Sequence, residues 1–150
     1  MCNYGEKAAK FHCGGCGNCA QAVLAAFEDK TGLDQATALR LASSFGGGLG
    51  GMKEACGALT GALMAFGMIC APADASDKEA KARHYARVQE FCSRFKARNS
   101  SILCRELLAS AYMPEMGFSA DYIAKPCNRY IYNSAQILSE MLHEIEAGKI

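Results

Sequence analysis

The sequence predicts an all-α, single-domain helical bundle of five to seven helices over residues 1–150. Three observations carry that expectation. Apolar residues recur at helical spacing along most of the chain. Runs of Val, Ile and Thr with strict apolar–polar alternation, the mark of strands, are scarce. A chain of 150 residues that is 51% hydrophobic is long enough to bury one core without disulfide staples. No repeat, low-complexity tail or linker divides it.

The elements follow in order. A first helix is expected over residues 3–11, broken by Cys13-Gly14-Gly15-Cys16-Gly17. Asn18 is a favoured N-cap, and Gln21 stands three residues on, as in a capping box. That helix carries Ala22, Val23, Ala26 and Phe27 and stops at Gly32. Asp34 caps a shorter helix with Ala38, Leu41 and Ala42, and the glycine run over residues 46–51 ends helix altogether. A new helix is expected from near Lys53 through Cys56 to Cys70, ended by Pro72. Ser76 and Glu79 read as a second capping box. The helix after it is expected to bury Tyr85, Val88, Cys92 and Phe95 on one face. Asn99-Ser100-Ser101 breaks this helix and caps a short one over residues 102–111. Residues 113–126 read as a loop punctuated by Pro114 and Gly117. A last helix over residues 127–147 places Ile131, Ala135, Leu138, Leu142 and Ile145 at core spacing.

Composition narrows the function classes. A formal net charge of +1 gives no whole-chain case for nucleic acid or a membrane surface. Tryptophan is absent and aromatics are few, so a stacking platform for bases is not expected. Residues 55–73 lack charge and approach the length of a membrane span, but their Gly/Ala content and Pro72 fit a buried central helix better. The N-terminal residues show no apolar secretion signal, so a cytoplasmic, reducing compartment is expected. In that setting nine cysteines, an odd number, read as ligands, redox groups or core filler rather than structural bridges.

Four of the nine stand apart. Cys19, Cys56, Cys104 and Cys127 each fall in the first turn of a separate expected helix. Unpaired N–H groups and the helix dipole there should lower a thiol pKa and favour metal binding or exchange. Each one alone could be filler, since free cysteine behaves as a small hydrophobe; four at equivalent positions point to function. Cys70 and Cys92 sit deep in expected helices and read as core, and Cys2 as a surface residue near the N-terminus. Cys13, Cys16 and Cys19 form C-x-x-C-x-x-C, which resembles three ligands of a bacterial ferredoxin cluster; the fourth cysteine and its proline are missing. Cys13 and Cys16 therefore stand as further candidate ligands or as a dithiol switch, with His12 beside them as an exposed or capping imidazole.

Other near-motifs carry less. Gly46, Gly48 and Gly51 match G-x-G-x-x-G, but a helix rather than a strand precedes them, and no P-loop Lys-Ser/Thr follows. Gly57 and Gly61, four apart, make a flat helix face on which a second backbone can lie, extended by Ala65 and Gly67; the same face offers a homodimer contact. The basic excess over residues 77–98 reads first as a solvated face and second as a dock for an acidic redox partner protein.

Taken together, Asn18-Cys19-Ala20-Gln21-Ala22-Val23-Leu24, the glycine run, Cys56-Gly57-Ala58-Leu59-Thr60-Gly61, Cys104 ahead of Leu107-Leu108, and Cys127 resemble the four-cysteine redox-active family named for its C-GCAxxG-C-C pattern. The resemblance covers residues 17–142. It implies a small cytoplasmic helical protein with a redox role, its four cysteines mapping onto Cys19, Cys56, Cys104 and Cys127. A likeness to the non-haem part of split-Soret cytochromes implies an iron–sulfur site, without any haem motif here. Three functions stay open. The first is electron transfer through an iron–sulfur cluster, suited to thiolate donors. The second is thiol–disulfide exchange without metal. The third is structural zinc, although zinc usually draws on local C-x-x-C knuckles and these four cysteines are far apart in sequence.

Overall fold

The computed structural model describes residues 3–110 and 126–150, and among them the fold is all-α. Eight helices are seen: α1 (Tyr4–Cys13), α2 (Cys19–Ala26), α3 (Glu28–Thr31), α4 (Gln35–Ala42), α5 (Gly57–Cys70), α6 (Lys78–Asn99), α7 (Cys104–Ser110) and α8 (Cys127–Glu146). The one-turn α3 follows α2 after Phe27 and stops at Gly32, whose φ of +72° is the left-handed conformation that suits glycine. No helix among the described residues is long and apolar enough to cross a membrane.

Helix α8 is the spine. Its apolar stripe, with Ile131, Ala135, Leu138 and Met141 fully buried, packs on α1, α2, α5 and α6. Phe27, Phe66, Phe91 and Phe95 fill the space between these helices. Tyr4 of α1 stacks on Phe27 with ring centroids 4.2 Å apart and donates its hydroxyl to Asp29 at 2.7 Å.

Helices α2 and α5 approach each other closely. A Cβ built on Gly61 would lie 2.4 Å from the Ala20 carbonyl oxygen, and one on Gly57 would lie 2.9 Å from the Phe45 carbonyl and 3.2 Å from Cys19 Cβ. The expected flat face is therefore real, and the start of α2 lies on it. The surface that suggested a homodimer contact is covered from within. Gly67 takes no part, since a Cβ there would meet nothing within 4 Å.

Several expectations are corrected. Lys53, Glu54 and Ala55 are not helical: Ala55 forms an antiparallel bridge with Leu103, and α5 begins only at Gly57. Ser76 and Glu79 do not make a capping box. Asp77 caps α6 by accepting from the Ala80 N–H at 3.0 Å, while Ser76 donates to Asp74. Tyr85 is 55% exposed, because the first half of α6 runs past the edge of the core; Phe91 and Phe95 are its buried anchors, and Val88 and Cys92 are half-buried. Cys70, the last residue of α5, is likewise half-buried at the core edge. The expected loop over residues 113–126 lies outside the described residues except for Pro126, and Cys2 lies outside them too.

The basic face of α6 is partly spent inside the molecule. Arg94 makes a two-pronged contact with Glu144 of α8, both N–H···O distances 2.8 Å, and pairs with Glu90; Arg98 pairs with Glu140.

Candidate functional site

Each of the four cysteines stands at a helix start for a local reason. Asn18 caps α2 in a complete capping box: its side chain accepts from the Gln21 N–H at 3.0 Å, and Gln21 Oε1 accepts from the Asn18 N–H at 2.9 Å. The same two side chains donate to the Ser43 and Leu39 carbonyls, which fixes the entry to α2 against α4. Cys19 is thereby the first residue of α2.

Cys56 is the N-cap of α5, and Cys104 opens α7. Their registers are locked together: the Cys56 N–H donates to the Ile102 carbonyl at 2.8 Å and the Cys104 N–H to the Glu54 carbonyl at 2.6 Å. The glycine run closes over this bridge. The Lys53 and Glu54 N–H groups donate to the Gly47 and Gly48 carbonyls. Gly48 has a φ of +68°, and a Cβ there would fall 2.7 Å from Cys104 Cβ. Only glycine lets this backbone pass so close.

Cys127 begins α8 directly after Pro126. Two buried hydroxyls pin this helix to the site: Tyr130 donates to the Leu107 carbonyl and Ser134 to the Ala58 carbonyl, each at 2.7 Å.

The four cysteines line one cavity of about 160 Å³, together with Gly47, Gly48, Lys53, Ala58, Leu107 and Tyr130 among others. Cys13 and Cys16 do not line it; both are exposed at the end of α1 and in the turn after it. The four cavity cysteines are free thiols. No group of three or more His, Cys, Asp or Glu side chains among those residues comes together in a way that could hold a metal ion.

Depth, more than helix dipole, sets the acidity of these thiols. Only Cys127 falls below the usual thiol value, to about 7: Cys19 donates its S–H to the Cys127 sulfur, and the Lys53 ammonium adds to this, together outweighing burial. Cys19 is correspondingly pushed far up, first by that shared hydrogen bond and then by burial. Burial pushes Cys56 up to about 11, although the Leu59 and Ala58 N–H groups face its sulfur without closing a cap hydrogen bond. Burial also raises Cys104, against the pull of Lys53. The expectation that all four thiols would be acidified holds for one of them, because taking a thiolate out of water costs more than the end of a helix returns.

Sequence reasoning missed Lys53 and Tyr130 as parts of this region. Lys53 was hidden by being read as the start of a helix. Tyr130 is set apart only by lying close to Cys127.

Fold and cavity together define a class: a small helical protein whose distinctive groups are thiols brought from four separate helix starts to one pocket. A family model described as "Putative redox-active protein (C_GCAxxG_C_C)" matches residues 17–141. The chain belongs to that family. No curated protein and no solved structure gives a match.

Proposed function

We propose that this protein is an electron carrier that works through the four-thiol cavity, with Cys19, Cys56, Cys104 and Cys127 holding an iron–sulfur cluster and a redox protein as its partner. The observation that carries the reading is that cysteines from four separate segments line one pocket. Thiolates are soft donors, and four cysteines are the usual ligand set of such clusters. A single zinc ion needs its sulfurs about 2.3 Å from one point. When bound, a cluster supplies one-electron chemistry. The chain's own part is to exclude water with Leu107, Ala58 and Tyr130, to bring backbone close at Gly47 and Gly48, and to set the Lys53 charge at the rim against thiolate charge.

Anaerobic purification with iron and sulfide analysis tests this. Near-stoichiometric iron and sulfide are expected, lost in both Cys56→Ser and Cys127→Ser and kept in Cys70→Ser. Loading that survives Cys56→Ser would overturn the ligand assignment.

One observation favours a second reading, thiol–disulfide exchange within the cavity. Cys19 and Cys127 are already hydrogen-bonded, and Cys127 titrates near neutrality. A colourless protein whose thiol count falls by two on oxidation, at Cys19 and Cys127, would select it.

A further inference from the structure

The loop that closes over the cavity holds a lysine in a backbone conformation that lysine avoids. Gly47, Gly48, Gly50 and Gly51 have positive φ there, at no steric cost. Lys53 joins them at φ +62°, where a Cβ is crowded. Leu49, at φ +65°, does so too, but it is half-buried; Lys53 is exposed, so packing does not offset the strain. The conformation is fixed from both sides. The Lys53 N–H donates to the Gly47 carbonyl at 3.0 Å, and its own carbonyl accepts from the Arg105 N–H at 3.2 Å. A strained residue held this firmly beside a pocket directs attention to its side chain.

That side chain turns back over the loop. A Cβ on Gly47 would lie 3.7 Å from Lys53 Nζ, and both residues line the cavity. Cys104 and Cys127, on different helices, both feel its charge, which opposes burial at the first and adds to the Cys19 hydrogen bond at the second. The neighbouring Glu54 pairs with Arg105 at 3.1 Å, and among the described residues no carboxylate pairs with Lys53. A cation set over four thiols without a counter-charge is complemented by negative charge inside the pocket.

We propose that Lys53 sets the redox poise of the cavity: its ammonium favours the reduced, more negatively charged state of the group held by the four cysteines, and so raises the midpoint potential. The inference rests on the cavity holding a cluster. Uptake of one electron from the redox partner protein adds one negative charge to the pocket and makes or breaks no bond. Lys53 attracts the pocket more strongly after that step than before it, and this difference moves the equilibrium. The charge stands at the rim, so dissolved salt screens it.

The test is a spectroscopic redox titration of the anaerobically purified full chain at low and high salt. Lys53→Gln should shift the one-electron equilibrium toward the oxidised state by about three- to tenfold, which lowers the midpoint by about 28–59 mV. Lys53→Arg keeps the charge and should keep the midpoint. The gap between parent and Lys53→Gln should shrink in about 1 M salt. In the metal-free chain Lys53→Asn, which tolerates positive φ, should melt no lower than the parent, because the lysine serves charge rather than stability. Equal midpoints in parent and Lys53→Gln, both loaded with iron and sulfide, would overturn this proposal and leave the cluster reading standing. A midpoint as low in Lys53→Arg as in Lys53→Gln, or a lower melting temperature in Lys53→Asn, would overturn it too and make Lys53 a structural part of the loop. A parent protein without iron and sulfide would overturn both readings.

Discussion

The approach of α5 to α2 sets where Cys19 stands, and it can be probed with a single methyl group. In Gly61→Ala the new Cβ would start 2.4 Å from the Ala20 carbonyl oxygen and 2.9 Å from Ala20 Cα. Both obstacles are backbone, so no side chain can swing aside. Restoring ordinary contact requires the helices to part by about 1 Å, and such overpacking costs ~1–3 kcal/mol. Helix propensity returns about 1 kcal/mol of this, leaving a net loss of up to about 2 kcal/mol. For a chain of this size the largest such loss lowers Tm by roughly 4–8 °C. Gly67→Ala, on the same helix but facing open space, has the propensity gain alone and should raise Tm by roughly 2–4 °C. The displacement also draws Cys19, next to Ala20, away from Cys127, so alkylation of Cys127 at neutral pH should slow in Gly61→Ala and stay unchanged in Gly67→Ala. Thermal melts and iodoacetamide labelling of the reduced, metal-free proteins decide the matter. A Gly61→Ala protein at least as stable as its parent would refute the idea that this contact fixes the site.

Two further outcomes follow from the acidity of the thiols and from the cap at the start of α2. In the metal-free, reduced chain Cys127 should be half-alkylated near pH 7 and Cys56 only near pH 11, by peptide mass mapping; Lys53→Gln should move the Cys127 midpoint upward. The two thiols act on stability with opposite signs. The depressed Cys127 contributes stability that is present above its ordinary value of 9.0 and lost as pH falls through about 7, whereas the raised Cys56 contributes stability that is full below 9.0 and lost as pH rises through about 11. Asn18→Ala removes the side-chain acceptor of the capping box and the bond to the Ser43 carbonyl, keeps the backbone N–H that Gln21 accepts from, and should cost ~1 kcal/mol by denaturant midpoint. Asn18→Asp should retain most of that stability, because it still accepts from the Gln21 N–H.

The helices and the positions of the four cavity cysteines were legible because their signals are local. Asn18 with Gln21, Gly32 after Thr31, and the glycine pair at 57 and 61 each act within a turn or two of helix, and each stands in the structure as its residue type requires. What could not be read depends on partners far along the chain. Lys53-Glu54-Ala55 are good helix formers, but pairing with residues 102–105 holds them out of a helix, a tertiary contact overriding propensity. The period of α6 gave its faces but not which half of the helix leaves the bundle, so Tyr85 was misplaced while Phe95 was not. Thiol acidity was misjudged for the same reason: a helix start is visible in sequence, but depth is not. The Asn128 link to Cys13 joins α8 to α1 across nearly the whole chain and leaves no local trace.

The four cavity sulfurs enter on α2, α5, α7 and α8, and no two of them share a helix. Pulling any one of these segments loose therefore dismantles the pocket, and no fragment lacking one of them can keep it whole. Any guest held there is wagered on all four segments together: its release reports local melting of any one of them, and its tight capture raises the resistance of all four to unfolding at once.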